Sequence, residues 1–214
     1  MSKFFGSMGT AGGRLSIFKK AVEATKKAIM MEPDYAKLLL EGNSFTNLGM
    51  HKEAVKSYRQ AVRIQPYQSE ALNSLGNAYA KLDMYQEAAE AYSEAVRVNP
   101  EDTRAYLNLS NAYAKLGNYR AAISAARRAL KLRPALSAAH KALGIYYGML
   151  GMHSEAKESL KFALKIEPDN TNARYNLALV CLQLHDRTSA MKEYMILKDV
   201  CPRSADKLYR MIKS

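Results

Sequence analysis

The chain has 214 residues, 48% hydrophobic and 24% charged, with a mean hydropathy of -0.31. That balance suits a folded globular protein and excludes a disordered polyelectrolyte or a helical membrane bundle. No run of eighteen apolar residues occurs, yet a formal net charge of +12 asks which anionic surface the chain meets.

In chain order, the opening MSKFFGSMGTAGGR lacks the apolar stretch of a secretion signal. Residues 1–13 are expected to be flexible, and a cytoplasmic location is expected. Residues 15–32, LSIFKKAVEATKKAIMME, have helical periodicity and match the second half of the later units through Ala21, Ala28 and Pro33. The array therefore starts on a half unit, within a single folded domain covering 14–214.

The prolines set the period. All six, Pro33, Pro66, Pro100, Pro134, Pro168 and Pro202, are spaced 33, 34, 34, 34 and 34 residues apart. Proline inside a helix costs about 3 kcal/mol, so each one marks a boundary between helices. Five units follow, at approximately 35–68, 69–102, 103–136, 137–170 and 171–204. A small residue recurs at Gly42, Gly76, Ser110, Gly144 and Ala178. Three residues later comes Phe45, Tyr79, Tyr113, Tyr147 and then Cys181. Alanine is constant at Ala54, Ala88, Ala122, Ala156 and Ala190, and a further column reads Ala61, Ala95, Ala129, Ala163 and Leu197.

Within each unit apolar residues recur at helical spacing in two runs, for example Tyr106, Leu109, Tyr113 and Leu116, then Ile123, Ala126, Ala129 and Leu130. Each unit is thus a pair of amphipathic helices. The reversal between them holds Gly49, Asp83, Gly117 or Gly151, which suit a helix C-terminus. Small residues at the Gly76 and Ala88 columns allow close approach, with the Tyr79 column expected to fill the adjacent space. After the last unit, residues 204–214 place Leu208 and Ile212 on one face, as a capping helix would.

The best unit, AYLNLSNAYAKLGNYRAAISAARRALKLRP from Ala105 to Pro134, resembles the tetratricopeptide repeat family. The resemblance covers about four fifths of the chain. It implies an all-α, right-handed superhelical solenoid of antiparallel helix hairpins whose first helices line a concave groove. It also implies a non-enzymatic scaffold or adaptor that binds a peptide or partner protein there.

The residues agree with a non-catalytic reading. His51, His140, His153 and His185 lack metal-ligand spacing or a nearby nucleophile, and there is no phosphate-cradling glycine loop. Four S-x-x-K matches, starting at Ser16, Ser154, Ser189 and Ser204, lack the S-D-N and K-T-G partners that would give them chemistry. Cys181 and Cys201 lie twenty residues apart with no CxxC pair, so they read as reduced thiols. No cofactor or metal is expected.

By the same resemblance, the groove is lined by Asn43, Asn73, Asn77, Lys81, Arg104, Asn108, Asn111, Lys115, Lys141 and Asn176. Asn43, Asn77 and Asn111 hold equivalent places in three successive units, forming a ladder able to bond a peptide backbone. With the cations around it, Glu70 as the main acid and Leu107, Ile145, Tyr175 and Leu179 supplying apolar surface, the groove should prefer an acidic or carboxylate-ended segment with apolar anchors. Some relatives clamp a C-terminal carboxylate with lysine, asparagine and arginine from three units. Here Leu39 occupies the first lysine place and Asn108 the arginine place, so that set is incomplete.

Charge is uneven along the chain. Thr103 to Ser154 contains no acidic residue but eight cations, which leaves +4 for the rest. Of these, Arg120, Arg127, Arg128 and Lys131 fall on a second helix and are expected to form a basic convex patch. With Lys19, Lys20, Lys26 and Lys27 they offer an alternative reading, docking to an anionic membrane or nucleic acid. A third is self-assembly into a homo-oligomer through the exposed face of the half-unit start.

Overall fold

A computed structural model describes residues 33–213, and the expected flexible segment 1–13 and half unit 15–32 lie outside the described residues. The 34-residue period becomes five helical hairpins. The first helices are α1 (Pro33–Asn47), α3 (Ser69–Lys81), α5 (Thr103–Lys115), α7 (Ser137–Met149) and α9 (Thr171–Gln183). The second helices are α2 (His51–Ile64), α4 (Tyr85–Val98), α6 (Tyr119–Leu132), α8 (His153–Ile166) and α10 (Arg187–Val200), and α11 (Pro202–Lys213) closes the array. The described residues contain no strand.

Each reversal is built by one residue in the left-handed region. Gly49, Gly117 and Gly151 have φ of 73°, 75° and 73°, and Asp83 and His185 take 59° and 57°. The next amide then reaches back five residues to the aromatic column: Met50 N donates to Phe45 O, Met84 to Tyr79, Asn118 to Tyr113 and Met152 to Tyr147, at 2.9–3.0 Å. In the last unit Asp186 N donates to Cys181 O at 2.8 Å. These bonds satisfy carbonyls that a helix end would otherwise strand. His185 shows that the fifth unit keeps the geometry without the glycine.

Helix starts are secured by side chains at four places. Asp102 Oδ1 accepts from the amides of Arg104 and Ala105, Asn118 Oδ1 from Ala121, Asn170 Oδ1 from Ala173 and Asp186 Oδ1 from Ser189, at 3.0–3.2 Å. Each such cap is worth about 1 kcal/mol.

The alanine columns are the packing axis. Ala54, Ala88, Ala122, Ala156 and Ala190 are all 0% exposed, as are Ala61, Ala95, Ala129, Ala163 and Leu197. A methyl group there lets the two helices of a hairpin close on each other, and a larger side chain would force them apart. Glycine serves the same end from the facing helix. A Cβ at Gly76 would stand 2.6 Å from the Tyr92 ring, and one at Gly42 would stand 2.5 Å from Tyr58. The ring that fills this space therefore comes from the second helix, where the sequence suggested the Tyr79 column.

That pairing varies in step along the array. Gly42 and Gly76 face Tyr58 and Tyr92, and Gly144 faces Leu160. In unit three both partners change, to Ser110 and Ala126, each 0% exposed. In unit five Ala178 occupies the small site, and Tyr194 instead stacks on Tyr209 of α11 with ring centroids 5.1 Å apart.

Helix α11 starts at Pro202, two residues before the expected capping helix. Proline is accepted in a first helical turn, where its missing amide has no partner to lose. Ala205, Leu208 and Ile212 bury one face of α11 against α9 and α10. Pro33 likewise begins α1, whereas Pro66, Pro100, Pro134 and Pro168 lie in the links between units.

First helices of consecutive units touch one another along the whole array, α1 to α3 through α7 to α9, while second helices pack only on their own and the next first helix. The first helices therefore lie on the inside of the curve.

Candidate functional site

The inner surface is built from first-helix positions one turn apart, and the asparagine ladder lies on it. Asn43, Asn77 and Asn111 are exposed on α1, α3 and α5. Each carbonyl is occupied from within the protein. Tyr58 donates its hydroxyl to Asn43 Oδ1, Tyr92 to Asn77 Oδ1 and Tyr146 to Asn111 Oδ1, each at 2.7 Å. With Oδ1 engaged, the amide plane is set and Nδ2 has no bond to any described residue.

The three tyrosines do not come from one column. Tyr58 and Tyr92 lie fifteen residues after their asparagines, on the second helix of the same unit. Unit three has Ala126 at that place, and the hydroxyl arrives from Tyr146, 35 residues after Asn111, on the first helix of the next unit. Burial pushes the Tyr92 phenol well above the ordinary tyrosine range and raises that of Tyr146, where the Ser110 hydroxyl partly opposes the rise. Both therefore remain protonated donors at neutral pH. The constant spacing of fifteen was visible in the sequence; the switch to Tyr146 was not.

Other expected groove residues divide into groups. Asn77, Lys81, Asn108, Asn111 and Lys115 meet around one pocket of about 480 Å³, closed by Thr46, Tyr85 and Tyr92. Lys115 Nζ lies 5.7 Å over the Tyr85 ring, a cation–π arrangement that holds the charge at the pocket wall. Asn108 is turned inward: its Nδ2 donates to Asn73 Oδ1 at 3.0 Å and to Asn77 Oδ1 at 3.1 Å. Asn73 is only 8% exposed, so these two amides brace α3 against α5.

Arg104, Lys141 and Asn176 stand apart from that pocket. Arg104 lines a separate cavity with Glu70, Asp102 and Arg133 near the links between units. Lys141 is half-buried and near Glu167, whose carboxyl is held below its ordinary value by hydrogen bonds from Asn170 and Ser137, with Lys141 adding a smaller attraction. Asn176 Nδ2 donates to its own helix, at Asn172 O, 2.7 Å away.

Asn176 does line a second groove pocket, of about 370 Å³, between α7 and α9. Its walls include Ile145, Met149, Leu179 and Gln183. Ile145 and Leu179 stand two units after Asn77 and Asn111, and Met149 and Gln183 stand two units after Lys81 and Lys115. The groove thus changes from amide and ammonium to largely aliphatic surface at one register, with Ile145 and Leu179, expected from the sequence as apolar groove surface, gathered into one pocket.

On the outer surface, Arg120, Arg127, Arg128 and Lys131 are all exposed along α6. Arg127 is engaged: Nη2 donates to the buried Tyr147 hydroxyl at 2.6 Å and its guanidinium lies 5.8 Å from that ring's centre. Among the described residues no acidic group pairs with Arg120, Arg128 or Lys131. No group of three or more potential metal-ligating side chains and no helix able to span a membrane occurs among the described residues.

Family comparisons bear on the same repeats. A tetratricopeptide repeat model matches residues 73–137, and a second TPR repeat model matches residues 42–83. Residues 42–137 are thus matched as tetratricopeptide repeats. No curated protein matches it in sequence. Among solved structures, MamA superposes with a TM-score of 0.72 at 22% identity, covering 83% of this chain and 92% of MamA. YrrB, described as a TPR protein with an unusual peptide-binding site, gives 0.72 at 21% identity over 86% of this chain and 97% of its own. TTC0263, a thermophilic TPR protein from Thermus thermophilus, gives 0.63 at 26% identity over 84% and 97%. These likenesses establish the α-α solenoid fold.

Proposed function

We propose that this protein is an adaptor whose inner groove binds an extended segment of a partner protein, with Asn43, Asn77 and Asn111 as hydrogen-bond donors along it. The observation that carries this reading is the tyrosine hydroxyl on each ladder carbonyl at 2.7 Å. An asparagine in water presents donor and acceptor alike. Here each oxygen already accepts an internal hydroxyl that fixes the amide plane, so the row presents N–H groups spaced by one repeat, suited to peptide carbonyls and carboxylates. Because the amides are held before the ligand arrives, little side-chain entropy is lost on binding. Lys81 and Lys115 add positive potential beside the second and third rungs, which favours an acidic segment.

The test is replacement of Asn43, Asn77 and Asn111 together by alanine, followed by affinity capture from the native lysate. These are exposed positions, so helicity should not change. Loss of specific partners supports groove recognition, and an identical set of captured proteins refutes it.

A second reading rests on the unpaired cations of α6. Arg120, Arg128 and Lys131, within a stretch of 52 residues that has no acid, form a surface to which an anionic membrane or nucleic acid would be drawn. Binding of this kind falls steeply with salt. Vesicle or oligonucleotide binding that does not weaken as salt rises from 50 to about 200 mM would refute it.

A further inference from the structure

The two groove pockets sit at the same register of different units, which makes their chemistry directly comparable. The first is lined by Asn77 and Asn111 with Lys81 and Lys115. In the second, Ile145 and Leu179 replace the asparagines, and Met149 and Gln183 replace the lysines. The backbone scaffold is repeated, so the difference lies in what the side chains can bind. Leu179 and Ile145 are half-buried, leaving part of their surface open to the groove, and Met149 is 60% exposed. An exposed methionine beside a concave aliphatic wall is an adaptable apolar surface that water solvates poorly. Gly148 leaves the floor open, since a Cβ there would come no closer than 3.9 Å to Val180.

We infer that the groove takes a two-part segment: acidic residues over Lys81, Lys115 and the ladder amides, and one apolar side chain in the pocket of Ile145, Met149 and Leu179. The inference rests on the groove reading above and specifies its ligand. Charge complementarity decides the polar half. The pocket walls carry two ammonium groups and outward N–H donors, and no acidic residue lies in the chain from Thr103 to Ser154. No Lys, Arg, Asp or Glu lines the second pocket, its wall is mainly Ile145, Met149, Leu179 and Val180 with Gln183 at one side, and Asn176 Nδ2 is bonded to Asn172 O, so a hydrocarbon or aromatic side chain gains most by entering it. Neighbouring helices pack about 10 Å apart, which puts the two pockets about 20 Å from each other, a span of about six extended residues.

The experiment uses a phage-displayed library of random sixteen-residue peptides selected on the full-length chain. Binding of the selected peptides is then measured on variants by fluorescence anisotropy. The expected result is enrichment of Asp and Glu on one side of an apolar residue, separated by about six positions. Ile145→Asn with Leu179→Asn, which installs residues the fold already carries two units earlier, should weaken binding about tenfold and remove the apolar preference on reselection. Met149→Lys, at an exposed position where the fold tolerates lysine in two other units, should do the same if the double variant is poorly folded. Lys81→Glu with Lys115→Glu should abolish the acidic preference and leave the apolar one. Selected peptides with acids but no apolar residue, or unchanged binding to both apolar-pocket variants, would overturn the inference while leaving the groove reading intact. Peptides whose binding ignores Asn77→Ala with Asn111→Ala would overturn both.

Discussion

The Tyr146 hydroxyl donates to Asn111 Oδ1 at 2.7 Å across the boundary between units three and four, so the third rung of the ladder is held by the unit that follows it. Tyr146 is 5% exposed and its ring packs near Tyr119, with centroids 6.5 Å apart. Tyr146→Phe should keep the packing and lose only the donor. Stability should fall by about 1 kcal/mol, the usual net worth of such a bond. Thermal unfolding measures that loss, and side-chain amide NMR of Asn111 should show the NH2 group exchanging faster with water.

The paired columns at Gly76 and Tyr92 make a compensation testable. Gly76→Ser places a side chain against a ring 2.6 Å from the new Cβ and should destabilise by about 1–3 kcal/mol. In a Tyr92→Ala background the same change should cost much less, because unit three combines Ser110 with Ala126 and leaves both fully buried. A double-mutant cycle by denaturant unfolding reads the coupling. The double variant should also loosen the Asn77 amide, since the Tyr92 donor is gone and Asn108 Nδ2 alone remains on its carbonyl.

Acid stability should depend on Asp186. Lys157 Nζ lies 2.8 Å from its Oδ2, and hydrogen bonds from Lys157 and Ser189 hold the carboxyl far below its ordinary value. A carboxylate whose folded pKa is depressed adds stability above its unfolded pKa and loses it as pH falls toward the folded value. Wild type should therefore lose stability progressively below about pH 4. Asp186→Asn should show a shallower loss over that window, although less stable at neutral pH, as followed by circular dichroism across an acid titration.

His185 holds a φ of 57° where units one, three and four use glycine. The left-handed region costs a residue with a Cβ about 1–2 kcal/mol, and glycine gives back part of that gain through its freer unfolded chain. His185→Gly should raise the melting temperature by a few degrees. A lower melting temperature would mean that the imidazole makes a stabilising contact in the turn.

Much of this was legible in the sequence because a repeat tests itself. The proline period, the buried alanine columns at Ala88 and Ala95, and the turn residues Gly49 and Gly117 each had several independent copies, so the hairpins and their boundaries followed. The first-helix origin of the inner surface followed from the family resemblance, which places Asn43, Asn77 and Asn111 on it. What escaped were relations that cross repeats or break the column. Tyr146 reaching back to Asn111 compensates for a missing ring at Ala126, and no periodic reading selects it. Asn73 and Asn108 looked like groove donors, but their mutual bond is a matter of side-chain direction between α3 and α5. Arg127 looked like free surface charge until Tyr147 was found beneath it. Pro202 was read as a boundary, and the physics of a first helical turn let it serve as a beginning.

Side-chain amide NMR offers the most direct measurement. The chain, labelled with nitrogen-15, would be titrated with an acidic peptide selected for binding while the NH2 resonances of Asn43, Asn77 and Asn111 are followed. Groove recognition by locked amides requires those resonances to shift together and saturate at one concentration, with the shift absent in the alanine variants. Saturable binding that leaves them unmoved, with perturbations confined to Arg120, Arg128 and Lys131 on α6, would contradict it and transfer recognition to the outer surface.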